Sequence, residues 1–260
     1  MKILHINRNY ACTTLHQLMR RKLDALGYEN QVFAPMDDKN LCVIPVDDNV
    51  TVCECFHKRD RYFFGHKQRK IRRALEREIP VGEFDCIHAY TLFTDGNCAQ
   101  KLSKKYKIPY VVAVRNTDVN SFFKLMPHLR HTGVEIMRGA KAIFFLSDPY
   151  CRLVFEKYVP KSLQEELKAK AYIIPNGINL AIFVLGAIRL VTDFGNWPTY
   201  LIGMASVSLV FLLLHILTGG NGLGMGDVKL VGAAGLLLGW QKMILAILVG
   251  SVAGVLIHSV

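Results

Sequence analysis

Lys2-Ile-Leu-His-Ile-Asn7 and Gln31-Val-Phe-Ala34 are two short apolar runs that decide the fold of the first part of the chain. Each has the length and continuous apolar character of a strand buried in a parallel sheet. Between them, Thr13 or Thr14 supplies an N-cap and Gly27 ends a predicted helix. Strand, helix and strand without a hairpin signal predict a doubly wound, Rossmann-like α/β sheet. The predicted buried face of the helix consists of Leu15, Leu18, Met19, Leu23 and Leu26.

Three further apolar runs, 84–88, 110–115 and 141–146, predict more strands of the same sheet. A helix is predicted over 95–106, and Ser147-Asp148-Pro149 is a suitable cap and first turn for another. In an open sheet of this kind the ligand crevice lies beyond the carboxyl ends of the strands. The residues predicted at this edge are Asn7 to Asn9, His88 to Asp95, Arg115 to Asp118, and Ser147.

Three segments of this region carry a family resemblance: Asp85-Cys-Ile-His-Ala-Tyr-Thr-Leu-Phe-Thr-Asp-Gly96, Ile108-Pro-Tyr-Val-Val-Ala-Val-Arg-Asn-Thr-Asp118 and Ile174-Pro-Asn-Gly-Ile178. In this order they are similar to the N-terminal, acceptor-binding half of GT-B-type retaining glycosyltransferases, over about residues 1–179. The resemblance implies a glycosyl acceptor as ligand. In that family a second Rossmann-like domain binds the sugar nucleotide. Residues 180–260 do not encode such a domain, so no donor site is expected.

Four polar residues at the predicted edge are candidates for acceptor binding: Asn9, His88, Arg115 and Asp118. A neutral His88 imidazole at a strand end can orient an acceptor hydroxyl, or it can be a buried histidine that is hydrogen-bonded to the backbone. Arg115 and Asp118 can clamp a polar acceptor, or they can pair with each other and cap a helix.

Charge and cysteine are concentrated in the first part of the chain. The net charge is +11, and from Leu180 onward the only charged residues are Arg189, Asp193, Asp227, Lys229 and Lys242. All seven cysteines lie before Leu180, and an odd number without framework spacing predicts reduced thiols in the cytoplasm. The polar turn soon after Met1 predicts no signal peptide.

Cys53-Glu-Cys55 with His57 lacks the second ligand pair that structural zinc sites usually have. We therefore expect no metal, and we expect no cofactor.

A basic run over 57–73 holds eight Lys or Arg and three aromatic residues. It suits an anionic lipid surface, where each basic residue is worth about 1 kcal/mol. A solvated helix face is the plain alternative. Nucleic acid is the less favoured partner, because the same chain carries a membrane segment.

Gly219-Gly-Asn-Gly-Leu-Gly-Met-Gly-Asp-Val-Lys229 is the stretch around which the last part of the chain is organised. It follows the apolar run Tyr200 to Leu217, which is long enough to span a bilayer, whereas 180–191 is shorter than the roughly 20 residues needed. We predict three or four membrane helices over 180–260. Gly250-x-x-x-Gly254 is the predicted close helix-packing face.

A carboxylate at the start of a membrane helix is costly and is a functional hypothesis by default. Gly224-Met-Gly-Asp-Val-Lys-Leu230, followed by Gly235-Leu-Leu-Leu-Gly-Trp240, resembles the type IV prepilin peptidase family of GxGD intramembrane aspartyl proteases, over about residues 182–260. The resemblance implies cleavage of a leader peptide by two aspartates that share one proton.

Asp227 matches the family aspartate, and Gly224, Gly226 and Lys229 form the implied active-site loop around it. The partner aspartate normally lies on an earlier membrane helix. Asp193 is the only other carboxylate after residue 179. We predict it at the opposite membrane face, where it does not pair with Asp227.

Two domains are therefore expected: a glycosyltransferase-like domain over 1–179 and a prepilin-peptidase-like membrane domain over 180–260. The first functional hypothesis is a weakly active or inactive peptidase. The second is a membrane-tethered glycosyltransferase fragment that binds an acceptor. The third is a non-catalytic fusion, whether natural, engineered or an assembly artefact. We expect the chain in the inner (cytoplasmic) membrane with its first domain in the cytoplasm.

Overall fold

The chain forms two compact units, which we call unit 1 (Met1–Pro175) and unit 2 (Asn176–Val260). The structure is a computed structural model that describes residues 1–12, 14–37, 47–175, 181–218 and 225–258.

Unit 1 is built on a seven-stranded sheet in which every neighbouring pair is parallel. The strands are β1 Lys2–Ile6, β2 Glu29–Asp37, β3 Val50–Phe56, β4 Cys86–Ala89, β5 Tyr110–Val114, β6 Ala142–Phe145 and β7 Ala171–Ile173. Their order is β3-β2-β1-β4-β5-β6-β7, so the chain reverses direction across the sheet between β1 and β4. The doubly wound α/β fold predicted from the sequence is confirmed.

In the described part of unit 1, six α-helices connect the strands: α1 Thr14–Ala25, α2 Phe64–Glu78, α3 Thr94–Tyr106, α4 Arg130–Gly139, α5 Asp148–Tyr158 and α6 Lys161–Lys168. Helices α2 to α6 share one apolar core with the sheet face that carries Leu4 and Ile6. Because side chains alternate along a strand, His5 faces the other way. That second face is the one on which α1 lies.

Helix α1 buries a different face from the one predicted. Leu18 and Leu26 are 50% and 72% exposed, whereas His16 and Arg20 are buried. Arg20 donates to the Tyr10 hydroxyl at 2.7 Å, and the His16 ring lies edge-on to Tyr90 at 4.8 Å. The predicted buried face of the helix is therefore wrong at Leu18 and Leu26. Apolar spacing alone does not reveal the polar and aromatic partners that bury His16 and Arg20. The end of the helix is as predicted: Gly27 takes a positive φ of 83°.

Unit 2 is helical, with α7 Ala181–Thr192, α8 Trp197–Leu217, α9 Met225–Leu238 and α10 Trp240–His258. Among the described residues, one helical stretch, Phe194–Leu217, is long and apolar enough to cross a membrane. Ile182–Thr192 and Trp240–Gly250 are shorter apolar helices. The predicted helical second part is confirmed.

Helices α8 and α9 approach through glycine. A Cβ added to Gly235 would lie 2.2 Å from the Gly203 carbonyl oxygen, and one added to Gly203 would lie 2.6 Å from the Gly235 oxygen. Among the described residues a Cβ on Gly250 would meet nothing within 4 Å, so the close packing predicted there is not found, and the surroundings of Gly254 lie outside what the structure describes. Backbone contact between small residues is a common way for apolar helices to associate.

Candidate functional site

The carboxyl ends of β1 and β4 form the candidate site of unit 1. They are neighbours in the sheet, with Ile6 opposite Ala89, and the connections leave them in opposite directions. This is the switch point at which open α/β sheets bind ligands. The edge residues predicted after these strands and after β5 therefore come together here.

Asn7 shapes the turn that follows β1. It is 1% exposed, and its Oδ1 accepts the Asn9 amide at 2.9 Å. Its Nδ2 is buried and has no hydrogen-bond partner. An unsatisfied buried donor costs about 1–3 kcal/mol, so this turn retains a hydrogen-bond donor for water or a ligand. Asn9 itself is exposed at the edge.

His88 belongs to an aromatic cluster on the α1 side of the sheet. Its ring stacks on Tyr90 at 4.3 Å and lies edge-on to His5 at 5.3 Å. Burial lowers the pKa of His88 well below its usual value, with further contributions from His5, Arg115 and His16. The imidazole is therefore neutral at neutral pH. It is half-buried, and the described residues supply no hydrogen bond to its nitrogens.

Two more histidines complete this cluster. Burial lowers the pKa of both His5 and His16 to about 4. His5 Nε2 lies 2.9 Å from Asn30 Oδ1, while its Nδ1 has no partner. The three imidazole rings around Tyr90 are thus neutral at neutral pH, and Arg115 and Arg20 are the nearby positive charges.

Arg115 and Asp118 have different roles. Arg115 Nε donates to the Tyr90 carbonyl at 2.9 Å, which holds the guanidinium over the end of β4. Asp118 is 1% exposed and accepts the amides of Leu92, Phe93 and Arg115 at 3.0, 3.1 and 2.9 Å. The side chains of Arg115 and Asp118 do not form an ion pair within the described chain. Asp118 instead ties the end of β5 to the start of α3, so it positions the site rather than facing a ligand.

Two buried charges near the switch point were given no role in binding from the sequence, although Asp95 falls in a segment predicted at the edge. Asp95 is 2% exposed with one oxygen unpaired, and burial raises its pKa to about 7. Lys67 is 6% exposed, lies 4.3 Å from the centre of the Phe56 ring, and has a pKa that burial lowers to about 8. Lys67 falls in the basic run, where sequence alone gives no sign that one lysine turns inward.

The cysteines of unit 1 offer no metal site. Those that the structure describes in full are unpaired: Cys53, Cys55, Cys86, Cys98 and Cys151. Among the described residues, no group of three His, Cys, Asp or Glu could hold a metal ion.

In unit 2 the candidate carboxylates stand at opposite ends of the α8–α9 pair. Asp227 is exposed in the first turn of α9. Asp193 accepts from the Tyr200 hydroxyl at 2.5 Å, and Tyr200 lies beside Gly239 at the far end of α9. Asp227 precedes Gly239 by twelve residues, a rise of about 18 Å along a helix. The two aspartates cannot share a proton.

The remaining residues of the implied loop divide into two groups. Gly226 and Lys229 are exposed in α9, and a Cβ on Gly226 would meet nothing within 4 Å. Gly224 lies outside the described residues.

Comparison with known proteins gives two family matches in the order that the sequence predicted. Residues 13–182 match the model of Glycosyltransferase Family 4, and residues 169–259 match that of the Type IV leader peptidase family. The two matches overlap over 169–182. The two resemblances inferred from the sequence are thereby confirmed.

One curated relative matches the second region. The prepilin leader peptidase/N-methyltransferase of Pseudomonas putida is 35% identical over 92 residues, covering 33% of this chain and 31% of that protein. The chain thus spans about a third of the length of this relative.

Two solved structures are similar in backbone. A sucrose-phosphate synthase from Thermosynechococcus elongatus gives a TM-score of 0.46 at 15% identity, covering 75% of this chain and 99% of that one. The UDP-GlcNAc 2-epimerase of Neisseria meningitidis, bound to UDP-GlcNAc, gives a TM-score of 0.46 at 13% identity. The match covers 91% of this chain and 70% of that one.

Proposed function

The chain belongs to Glycosyltransferase Family 4, the family whose model matches residues 13–182, and from this premise we propose that unit 1 binds a glycosyl acceptor at the switch point of its sheet. Unit 2 holds unit 1 at a membrane. In this proposal residues 1–179 serve acceptor binding and residues 180–260 serve the membrane.

The observation that carries this proposal is the set of polar groups left without partners at one edge. Asn7 Nδ2 is buried and unpaired, His88 has no hydrogen bond from the described residues, and Arg115 uses only its Nε. Sugar hydroxyls both donate and accept hydrogen bonds, so they match a mixed set of donors and acceptors. Tyr90 and the histidine rings add an apolar wall for a sugar face.

Each residue has a distinct role in the proposal. Neutral His88 accepts a hydrogen bond from an acceptor hydroxyl, and its low pKa keeps this nitrogen unprotonated. Arg115 donates through the end of its guanidinium. Asn9 contacts the acceptor from the exposed turn after β1. Asp118 holds the loop that carries Arg115.

The proposal is limited to binding and does not include sugar transfer. The described residues after 181 form helices and no second sheet that would hold a sugar nucleotide. A donor site from elsewhere in an assembly is not needed to test acceptor binding.

The test is acceptor binding by the full chain in lipid nanodiscs, measured by saturation-transfer NMR with a panel of methyl glycosides. His88→Leu and Arg115→Gln should each weaken binding about tenfold, because each removes one hydrogen bond to a desolvated ligand. Arg73→Gln removes a charge from the exposed side of α2 and is the matched control. Unchanged binding by both site variants, with strand amides still protected from hydrogen exchange, would refute the proposal.

We further propose that the chain lies in the cytoplasmic membrane with unit 1 in the cytoplasm. Unit 1 carries nearly all of the positive charge and the cysteines, which suits a reducing compartment and the positive side of membrane topology. Accessibility of Cys151 to a membrane-impermeant maleimide in intact spheroplasts tests the orientation. Labelling before lysis would place unit 1 on the outside.

Leader-peptide cleavage is the second candidate function, favoured by the family match over 169–259. Asp227 is exposed at a helix start, as this chemistry needs. Because Asp193 lies at the other end of α9, the second carboxylate has to come from another copy of the chain. Cleavage of a prepilin-like peptide in membranes should be weak, abolished by Asp227→Asn and unaffected by Asp193→Asn. Full cleavage by Asp227→Asn would exclude this function.

A further inference from the structure

A second cleft in unit 1 lies between α2, α3 and α4, on the sheet face opposite His88. It has a volume of about 660 Å³. Helices α2 to α4 pack on the side of the sheet that carries Leu4 and Ile6. The proposed acceptor site and this cleft are therefore separate.

The cleft is lined by four basic side chains, Arg69, Arg72, Lys101 and Lys104. Among the described residues none of them forms an ion pair within 4.0 Å. Other lysines of the same helices are neutralised: Lys70 lies 2.7 Å from Asp60, and Lys105 lies 2.7 Å from Glu76. Glu135 is the single carboxylate in the lining that the structure describes. The unpaired positive charge thus points into the cleft.

Gln68 supplies an independent sign of a ligand. It lines the cleft and is 5% exposed, and its buried Nε2 and Oε1 find no hydrogen-bond partner among the described residues. Leaving such a group unsatisfied is unfavourable, so native structures rarely do so without a water or a ligand.

The first turn of α2 adds further donors. Phe64 and Gly65 line the cleft, and the N-cap residue Phe63 makes no side-chain capping bond. The first amides of a helix have no partner within the helix and attract anions. Gly65 leaves open space beside them.

We propose that this cleft binds a phosphate group, with Arg69, Arg72, Lys101 and Lys104 balancing its charge and Gln68 donating from inside. Arginine pairs recognise phosphate oxygens through paired N–H groups. The phosphate belongs either to an anionic lipid headgroup or to a free phosphorylated small molecule. This inference does not rest on acceptor binding at the other face.

The experiment uses the full chain in nanodiscs and follows hydrogen exchange of amides 64–72. One arm titrates inorganic pyrophosphate into phosphatidylcholine nanodiscs, and the other compares phosphatidylcholine with phosphatidylglycerol-containing nanodiscs without added phosphate. Slower exchange in the first arm identifies a free phosphate compound, and slower exchange in the second identifies a headgroup. No change in either arm overturns the proposal.

Two variants separate a built site from a generally basic surface. Arg69→Gln with Lys101→Gln should weaken binding about fivefold for each charge removed. Arg73→Gln with Lys107→Gln removes equal charge outside the cleft and should leave binding unchanged. Equal losses in the two double variants would overturn the proposal.

Gln68→Leu keeps the charge and removes the unsatisfied amide, so the chain should still fold. It should lose binding severalfold, and unchanged binding would exclude a role for the buried amide. His88→Leu should leave pyrophosphate binding intact, which distinguishes failure here from failure of the acceptor site.

Discussion

Unit 1 buries its large apolar side chains, whereas unit 2 exposes many of its own. The largest fully buried side chains of unit 1 are aromatic and include Phe33, Phe93, Phe123 and Phe145. In unit 2 many large apolar residues are exposed, and helices α8 and α9 meet at Gly203 and Gly235. The exposed leucines of unit 2 include Leu185, Leu209, Leu213, Leu217 and Leu245.

This difference fits the proposal that unit 1 lies in water and unit 2 in a membrane. Water drives aromatic side chains into the core of unit 1, at about 25 cal/mol for each Å² of apolar surface buried. That driving force does not act between helices in lipid, where close backbone packing takes its place. The exposed leucines of unit 2 are therefore consistent with apolar surroundings rather than with water.

Truncating one large residue in each unit tests the comparison most strongly. Phe93 is fully buried and packs against Phe122 and Phe123 at 4.7 and 5.0 Å, so Phe93→Ala should lower the free energy of unfolding of unit 1 by about 3–5 kcal/mol. Leu213 is 57% exposed, so Leu213→Ala in nanodiscs should change the free energy of unfolding of unit 2 by less than about 0.5 kcal/mol.

The two units can be followed separately in the full chain. Both tryptophans, Trp197 and Trp240, lie in unit 2, so their fluorescence reports on that unit. Hydrogen exchange of strand amides reports on unit 1. A loss of several kcal/mol from Leu213→Ala would mean that this leucine packs against protein and would break the comparison.

The sequence predicted most of the sheet because its central strands are continuous apolar runs. It did not identify β3, where Val50–Phe56 mixes Thr, Cys and Glu with apolar residues at the sheet edge. It also placed His88, Arg115 and Asp118 at the right edge, since strand ends follow from strand positions.

What the sequence could not supply is the pairing of side chains that are distant in the chain. Asp118 binds amides 25 and 26 residues away. Gln68 and Lys67 turn inward from a run in which Arg69 and Arg73 are exposed. Such contacts depend on tertiary packing, which periodicity does not encode. The Gly203–Gly235 contact was missed for the same reason.

A buried carboxyl should make unit 1 less stable as the pH rises from acidic to neutral. Burial raises the pKa of Asp95 from its ordinary value of 3.8 to about 7. A raised folded-state pKa means that its stabilisation is complete below the unfolded value and is lost as the pH rises through about 7. Relative to Asp95→Asn, the wild type should lose on the order of 4 kcal/mol as the pH rises from 3.8 to about 7.

Equilibrium unfolding at several pH values, with exchange of unit 1 amides as the readout, measures this difference. His5 and His16 have lowered pKa values and destabilise unit 1 as the pH falls, but both proteins share that effect and it cancels. If the difference in free energy of unfolding between the wild type and Asp95→Asn did not vary with pH, the pKa of Asp95 would not be raised in the folded state.

The glycine contact of unit 2 should tolerate no side chain. Gly235→Val places a Cβ against the Gly203 carbonyl, so α8 and α9 have to separate at a cost of about 1–3 kcal/mol. Gly250→Val is the matched control, because open space surrounds that position. Unfolding in nanodiscs, followed by tryptophan fluorescence, should show a loss of stability of unit 2 for Gly235→Val and none for Gly250→Val. Equal effects at both positions would mean that valine itself, rather than the contact, is responsible.

The smallest expected effect concerns Asp193, whose response to pH has the opposite sign to that of Asp95. Hydrogen bonds from Tyr200 and then Asn196 hold the pKa of Asp193 below its usual range. A lowered folded-state pKa gives stability that is present above the unfolded value and lost as the pH falls. Tyr200→Phe should raise this pKa toward its ordinary value, and Asn196→Ala should raise it less. Carbon-13 titration of labelled aspartate, assigned with Asp193→Asn, measures both shifts. If the Asn196 variant gave the larger shift, the 2.5 Å hydroxyl contact would not be what fixes this carboxylate at the far end of α9.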